Sequence, residues 1–177
     1  MKFSLDYKVS AQEGKVSSEQ VLQNIDRYRG DLCPPEQLEG SLVLFLEGKE
    51  VPLDYSEPLL RLMAVWLRKA MWAMGGDTET LALRNSEECF GLIPAGSSVE
   101  VSFFTGTEEE IEEFVLTPTK IQVSQLMTSS LSTAERMIAM LEQACGKVDE
   151  DDDFQDLRIA LGEARKAWHD KELHERR

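Results

Sequence analysis

The sequence predicts an α+β fold in which an antiparallel meander packs against several helices, and three observations support this prediction. Runs of alternating apolar and polar residues fill the middle of the chain, apolar residues recur every three or four positions on either side, and turn residues separate the segments. The breaks are short and nothing repeats, so residues 1–177 are expected to form one domain. The final third is expected to be helical, with 151–177 as a helix at its periphery.

The N-terminal part predicts two strands around one helix. Phe3–Val9 alternates with period two, as a half-buried strand does. Ser17 or Ser18 can cap a helix whose apolar side chains repeat at helical spacing up to Gly30. Ser41–Leu46 is nearly all apolar, which is typical of a central strand covered on both faces.

The centre of the chain predicts the most buried helix, followed by the meander. The helix starts at Pro58, a residue favoured at the first helical position, and ends before Gly75, with Trp66 and Trp72 in the core. The four predicted strands are Thr80–Leu83, Cys89–Ile93, Val99–Phe104 and Phe114–Leu116.

Two helices are predicted for the final third. Ser132, with Glu135 three residues later, fits a capping box that would begin the first of them. The second carries Phe154, Leu157, Leu161 and Trp168 in steps of three and four.

The charge of the chain is its most unusual property. Asp and Glu number 33 against 19 Lys and Arg, which gives a formal net charge of −14. Such a surface repels phosphate backbones and anionic membranes, so neither nucleic acid nor a membrane is an expected partner. The most apolar stretch, 59–74, contains Arg61, Arg68 and Lys69, and it is too short and too charged to span a bilayer. The N-terminus reads as a strand rather than a signal peptide, so a cytoplasmic location is expected.

Three widely spaced cysteines, Cys33, Cys89 and Cys145, show no disulfide pattern. An odd number without regular spacing is typical of a reducing compartment. We therefore expect all three to be small apolar side chains in or near the core.

Two acidic clusters are the candidate partner-binding residues. The first acidic cluster is Glu108, Glu109, Glu110, Glu112 and Glu113. The second acidic cluster is Glu150, Asp151, Asp152 and Asp153. Neither has the alternating acids and fixed glycine of a calcium loop, so a solvated face or a site for a cationic partner is favoured over a metal. Acids at the start of a helix already interact favourably with its dipole, which makes the first cluster the stronger candidate.

No catalytic or cofactor motif is present, so no catalytic, cofactor-binding or metal residues are predicted. The chain lacks the glycine-rich phosphate loops and the nucleophile elbow, and His169 and His174 are five residues apart rather than four. A non-enzymatic binding protein is expected, acting as a monomer or a weak homodimer. An enzyme of unrecognised type remains the third hypothesis, after an adaptor module that docks through Phe154, Leu157, Leu161 and Trp168.

The chain resembles bacterial immunity proteins of polymorphic and contact-dependent toxin systems. The resemblance lies in the opening strand, in the helix segment Ala64–Trp72, and in the meander through Phe90–Leu92 and Val99–Phe103. It covers about half of the chain. The resemblance implies a compact, acidic, cytoplasmic protein that binds a cognate toxin and occludes its active site. A nuclease toxin must itself be basic to hold nucleic acid, so an acidic inhibitor is a sensible counterpart.

Overall fold

The computed structural model describes residues 1–177 as two antiparallel sheets and five helices. The first sheet contains β1 (Phe3–Ala11), β2 (Gly14–Ser17), β3 (Glu39–Leu46), β4 (Lys49–Glu50) and β5 (Glu57–Pro58). The second contains β6 (Glu79–Ala82), β7 (Glu88–Ala95), β8 (Ser98–Gly106) and β9 (Ile111–Gln122). The helices are α1 (Ser18–Gln23), α2 (Ile25–Leu32), α3 (Leu59–Met74), α4 (Val123–Ala144) and α5 (Asp152–Glu175).

The first sheet is built around β1 and β3. Its order is β2-β1-β3-β4, with β5 pairing to the other end of β3. The predicted central position of β3 is confirmed, and Gly40–Leu44 is buried throughout. The sheet is tied to α4 at Leu5, whose N–H donates to Ser129 Oγ at 2.6 Å and whose carbonyl accepts from Thr133 Oγ1 at 2.9 Å.

The second sheet is the predicted meander, with its strands in the order β6-β7-β8-β9. Its inner face packs on α3 through three aromatic rings. The Trp66 and Phe90 ring centroids lie 5.2 Å apart, and those of Phe90 and Phe103 lie 4.7 Å apart. The sequence predicted one sheet where the structure has two, because the pattern of a strand shows which faces are covered and not which strands pair.

The three long helices join the two sheets through one hydrophobic cluster of 48 buried residues. The prediction that α3 is the most buried helix is confirmed. Nine of its 16 residues are buried, a slightly larger fraction than the 12 of 22 in α4. Leu59, Met63, Trp66 and Leu67 are fully covered. Helix α5 packs on α3 and α4 and contributes six buried side chains between Phe154 and Trp168, so one face of the helix belongs to the core along that stretch. None of the helices combines the length and apolar composition that a bilayer crossing requires.

Three local expectations were wrong. The capping box does not form, because α4 already begins at Val123 and places Ser132 inside the helix. The Ser- and Thr-rich first half of α4 has modest helix propensity, and its packing against β1 outweighs that preference. The first predicted helix is divided at Asn24 into α1 and α2, although Ser17 caps it as expected, accepting from Gln20 N–H. Trp72 is 42% exposed, on the side of α3 that faces away from the core.

The cysteine interpretation was also wrong for two of the three residues. Cys33 and Cys145 form a disulfide that joins the end of α2 to the end of α4, with a sequence separation of 112. Cys89 alone is a free, buried thiol, as expected. The pairing follows from the packing of α2 on α4, which sequence spacing does not show.

Candidate partner-binding surface

The first acidic cluster lies at the hairpin that joins β8 to β9, and the backbone of the tip is fixed. Thr107 N–H donates to the Glu110 carbonyl at 3.0 Å, and Glu110 N–H donates to Thr107 Oγ1 at 3.1 Å. Gly106 has a φ of 100°, and a Cβ there would lie 2.3 Å from the Glu110 carbonyl oxygen. Only glycine fits this position, so the backbone that carries the carboxylates has one conformation here.

The hairpin tip curls back over the sheet instead of projecting freely into solvent. Glu108 Oε2 accepts a hydrogen bond from Thr80 Oγ1 on β6 at 2.9 Å. Cys89 Sγ, on the intervening strand β7, donates to the Gly106 carbonyl at 3.5 Å. Glu108 is therefore used in part to hold the tip.

The remaining carboxylates of the first acidic cluster carry uncompensated charge. Glu109, Glu110, Glu112 and Glu113 are all exposed. No ion pair in the structure involves any member of the cluster. Four unpaired negative charges within five residues give this end of the sheet a strong negative potential.

A cavity of about 570 Å³ lies beside the hairpin tip. Glu108 lines it together with Cys89 and an ion pair in which Lys69 Nζ is 2.9 Å from Glu79 Oε2. Glu88 Oε2 is buried there without a hydrogen-bond partner. Burial raises the pKa of the Cys89 thiol, and the charges of Glu108 and Glu88 raise it further. A thiol held protonated in this way is a poor nucleophile.

The second acidic cluster has a clear local role. Asp151 caps α5, its Oδ1 accepting from Phe154 N–H at 2.8 Å, and Asp152 and Asp153 occupy the first turn. These three carboxylates complement the helix dipole, as the sequence indicated. Glu150 and Asp151 also line a different cavity, next to the disulfide, so the two clusters belong to separate parts of the surface.

Sequence reasoning missed the apolar residues beside the first acidic cluster. Ile111, Phe114 and Val115 on β9 are exposed by 42%, 38% and 48%. The pattern predicted a strand at 114–116 but gave no reason to place its side chains on the surface. The available signal was their interleaving with Glu112 and Glu113, which is unusual for a strand that faces a core.

Comparisons of the chain with protein-family models, with curated protein sequences and with solved structures found no match. The resemblance to immunity proteins therefore depends on the sequence pattern alone.

Proposed function

We propose that this protein is a non-enzymatic immunity-type inhibitor, which binds a basic toxin domain through the first acidic cluster and occludes its active site. The observation that carries the proposal is the exposed, unpaired charge of Glu109, Glu110, Glu112 and Glu113 on a fixed hairpin. Clustered carboxylates without internal partners repel one another, and they attract a cationic surface strongly.

Steric occlusion aided by charge is the proposed mechanism. A domain that cleaves or binds nucleic acid needs a basic cleft, and clustered carboxylates compete for the same cations as phosphates do. Such steering raises association rates by about ten- to a thousand-fold and weakens as salt screens it. The hairpin tip supplies the charge, while the sheet behind it supplies the bulk that blocks the cleft. A monomer suffices for this mechanism.

The cytoplasmic location remains part of the proposal, and the Cys33–Cys145 disulfide is the observation against it. Disulfides form and persist mainly in oxidising compartments. Trapping free thiols in intact native cells with a maleimide reagent distinguishes the two cases. After the cells are lysed into denaturant in the presence of the reagent, a cytoplasmic pool is expected to label at all three cysteines, whereas an exported pool is expected to label at Cys89 alone.

The side chains on which the adaptor alternative depends are covered in the folded protein. Phe154, Leu157, Leu161 and Trp168 are all buried where α5 packs on α3 and α4, so they are not available to a partner while α5 is in place. The exposed large apolar side chains of α5 are Ile159 and Leu173, and isolated apolar residues are ordinary on a protein surface.

The test is a charge reversal with a matched control. The variant carries Glu109→Lys, Glu110→Lys and Glu112→Lys, and the control carries Asp77→Lys, Glu142→Lys and Asp170→Lys. Both variants have the same net charge, and the control residues are exposed acids without ion pairs. Immobilised wild-type protein is used to capture a partner from the native cell, and the partner is then identified and purified.

Affinities of this purified partner are measured at two salt concentrations. The hairpin variant is expected to bind more than about tenfold more weakly and with a flatter salt dependence, while the control stays within about twofold of wild type. Equal affinity for the two variants, or a partner that is acidic, would overturn the proposal.

A further inference from the structure

Strand β9 presents an apolar surface at the edge of the second sheet. It pairs with β8 on one side only and has no strand on the other. Ile111, Phe114 and Val115 are exposed here next to the first acidic cluster. The Phe114 ring packs edge-on against Phe104, with centroids 6.0 Å apart, and Phe104 itself is only 3% exposed. Phe114 is therefore a partly exposed aromatic side chain held in place by a buried one.

Irregular pairing makes β9 a poor template for another strand. Leu116 pairs with Phe103 and Phe114 with Phe104, so Val115 is an extra residue without a partner on β8. Glu112 is a second extra residue, between Ile111 and Glu113. A third shift occurs near Pro118, which also lacks a backbone N–H. Bulges and proline protect sheet edges against strand addition, and bulges also redirect side chains toward solvent.

The edge therefore offers side chains to a partner rather than backbone groups. Charged residues, bulges and proline protect a sheet edge from aggregation, whereas exposed apolar side chains do not. Edge protection therefore does not explain why Ile111, Phe114 and Val115 are exposed. An apolar centre bordered by charged residues is the arrangement of a protein-binding surface. The charge beside it is wholly negative from Glu108 to Glu113, and the chain as a whole carries −14, so a second copy is repelled.

We infer that Ile111, Phe114 and Val115 form the short-range part of the partner interface, and that they bind a cationic protein segment carrying aromatic or aliphatic side chains. This inference rests on the proposed function, because it assigns the first acidic cluster to steering and β9 to contact. Charge sets how often the partner arrives, and the buried apolar contact sets how long it stays.

Two short peptides of equal charge test this division. The probes are Ac-Lys-Trp-Lys-Trp-Lys-NH2 and Ac-Lys-Ser-Lys-Ser-Lys-NH2, titrated into ¹⁵N-labelled protein while amide shifts are followed. The Trp peptide is expected to bind at least about fivefold more tightly than the Ser peptide and to shift the β9 amides. Ile111→Ser with Phe114→Ser is expected to remove that preference, whereas Ile159→Ser with Leu173→Ser on α5 retains it.

The outcomes separate the inference from the proposed function. If both peptides bind equally and charge reversal of the first acidic cluster weakens both, the surface is purely electrostatic; the inference fails and the proposed function survives. If neither peptide binds at millimolar concentration, or if charge reversal has no effect, both fail. A preference for the Trp peptide that persists in the Ile111/Phe114 variant also overturns the inference.

Discussion

Glu108 accepts a hydrogen bond from Thr80 at 2.9 Å, and this contact fastens the β8–β9 hairpin to β6, the strand at the opposite edge of the sheet. The residue at the start of the first acidic cluster is thus structural as well as charged. The hydrogen bond holds the tip over β7 and leaves the neighbouring carboxylates facing solvent. The shape of the proposed binding surface depends on it.

Replacing Thr80 with Val should loosen the hairpin tip without unfolding the protein. The lost hydrogen bond is exposed, so the free energy of unfolding should fall by no more than about 1 kcal/mol. Amide hydrogen exchange at Thr107 and Glu110 should become faster. Thr128→Val, which removes an exposed hydroxyl on α4, serves as the control. Unchanged exchange in the Thr80 variant would show that Glu108 does not hold the tip.

Ser130 is expected to stabilise the core through a buried hydrogen bond to Trp66. Its Oγ accepts from Trp66 Nε1 at 2.9 Å, and both residues are fully buried. Ser130→Ala leaves the indole N–H without a partner, which should destabilise the protein by about 1–3 kcal/mol in chemical denaturation. Ser124→Ala on the exposed side of α4 should change stability by less than about 0.5 kcal/mol. Equal effects of the two substitutions would contradict the buried hydrogen bond.

Arg68 and Asp156 clamp α5 to α3 through two hydrogen bonds of 2.9 and 2.7 Å. Hydrogen bonding to Arg68 lowers the pKa of Asp156 below its usual value. Because the folded-state pKa is depressed, this stabilisation is present above about pH 4 and is lost as the pH falls through the folded value. Asp156 is half exposed, so Asp156→Asn should cost only about 1 kcal/mol at pH 7.

The difference between wild type and Asp156→Asn should shrink when thermal unfolding is repeated at pH 3. Asp170→Asn, on the same helix without an ion pair, should show little difference at either pH. A gap between wild type and Asp156→Asn that is as large at pH 3 as at pH 7 would rule out the proposed linkage.

The Cys33–Cys145 disulfide should contribute strongly to stability. It closes a loop with a sequence separation of 112, for which the chain-entropy model gives about 4–5 kcal/mol. Dithiothreitol should lower the unfolding temperature of the wild type and of Cys89→Ala. It should have no effect on a variant with Cys33→Ser and Cys145→Ser. Three free thiols in protein purified without reductant would show that the bond does not form.

Sequence patterns predicted the elements well and their partners poorly. The apolar runs located β1, β3, α3 and the meander, because the periodicity of burial follows directly from secondary structure. They did not reveal the disulfide or the division into two sheets, since these depend on which elements meet in space. The first acidic cluster was located by composition alone. Its attachment through Thr80 depends on contact between two strands that are distant in sequence. The exposure of Phe114 accompanies the bulged pairing of β9, for which the only local signal is the neighbouring Glu112 and Glu113.

Growth protection tests the central claim most directly. The basic partner captured by the wild-type protein is expressed in a susceptible cell, alone or together with wild type, with the Glu109/Glu110/Glu112 charge-reversal variant, or with the Asp77/Glu142/Asp170 control. The account predicts that the partner stops growth on its own, that wild type and the control restore growth, and that the charge-reversal variant does not. A harmless partner, or full protection by the charge-reversal variant, would contradict it.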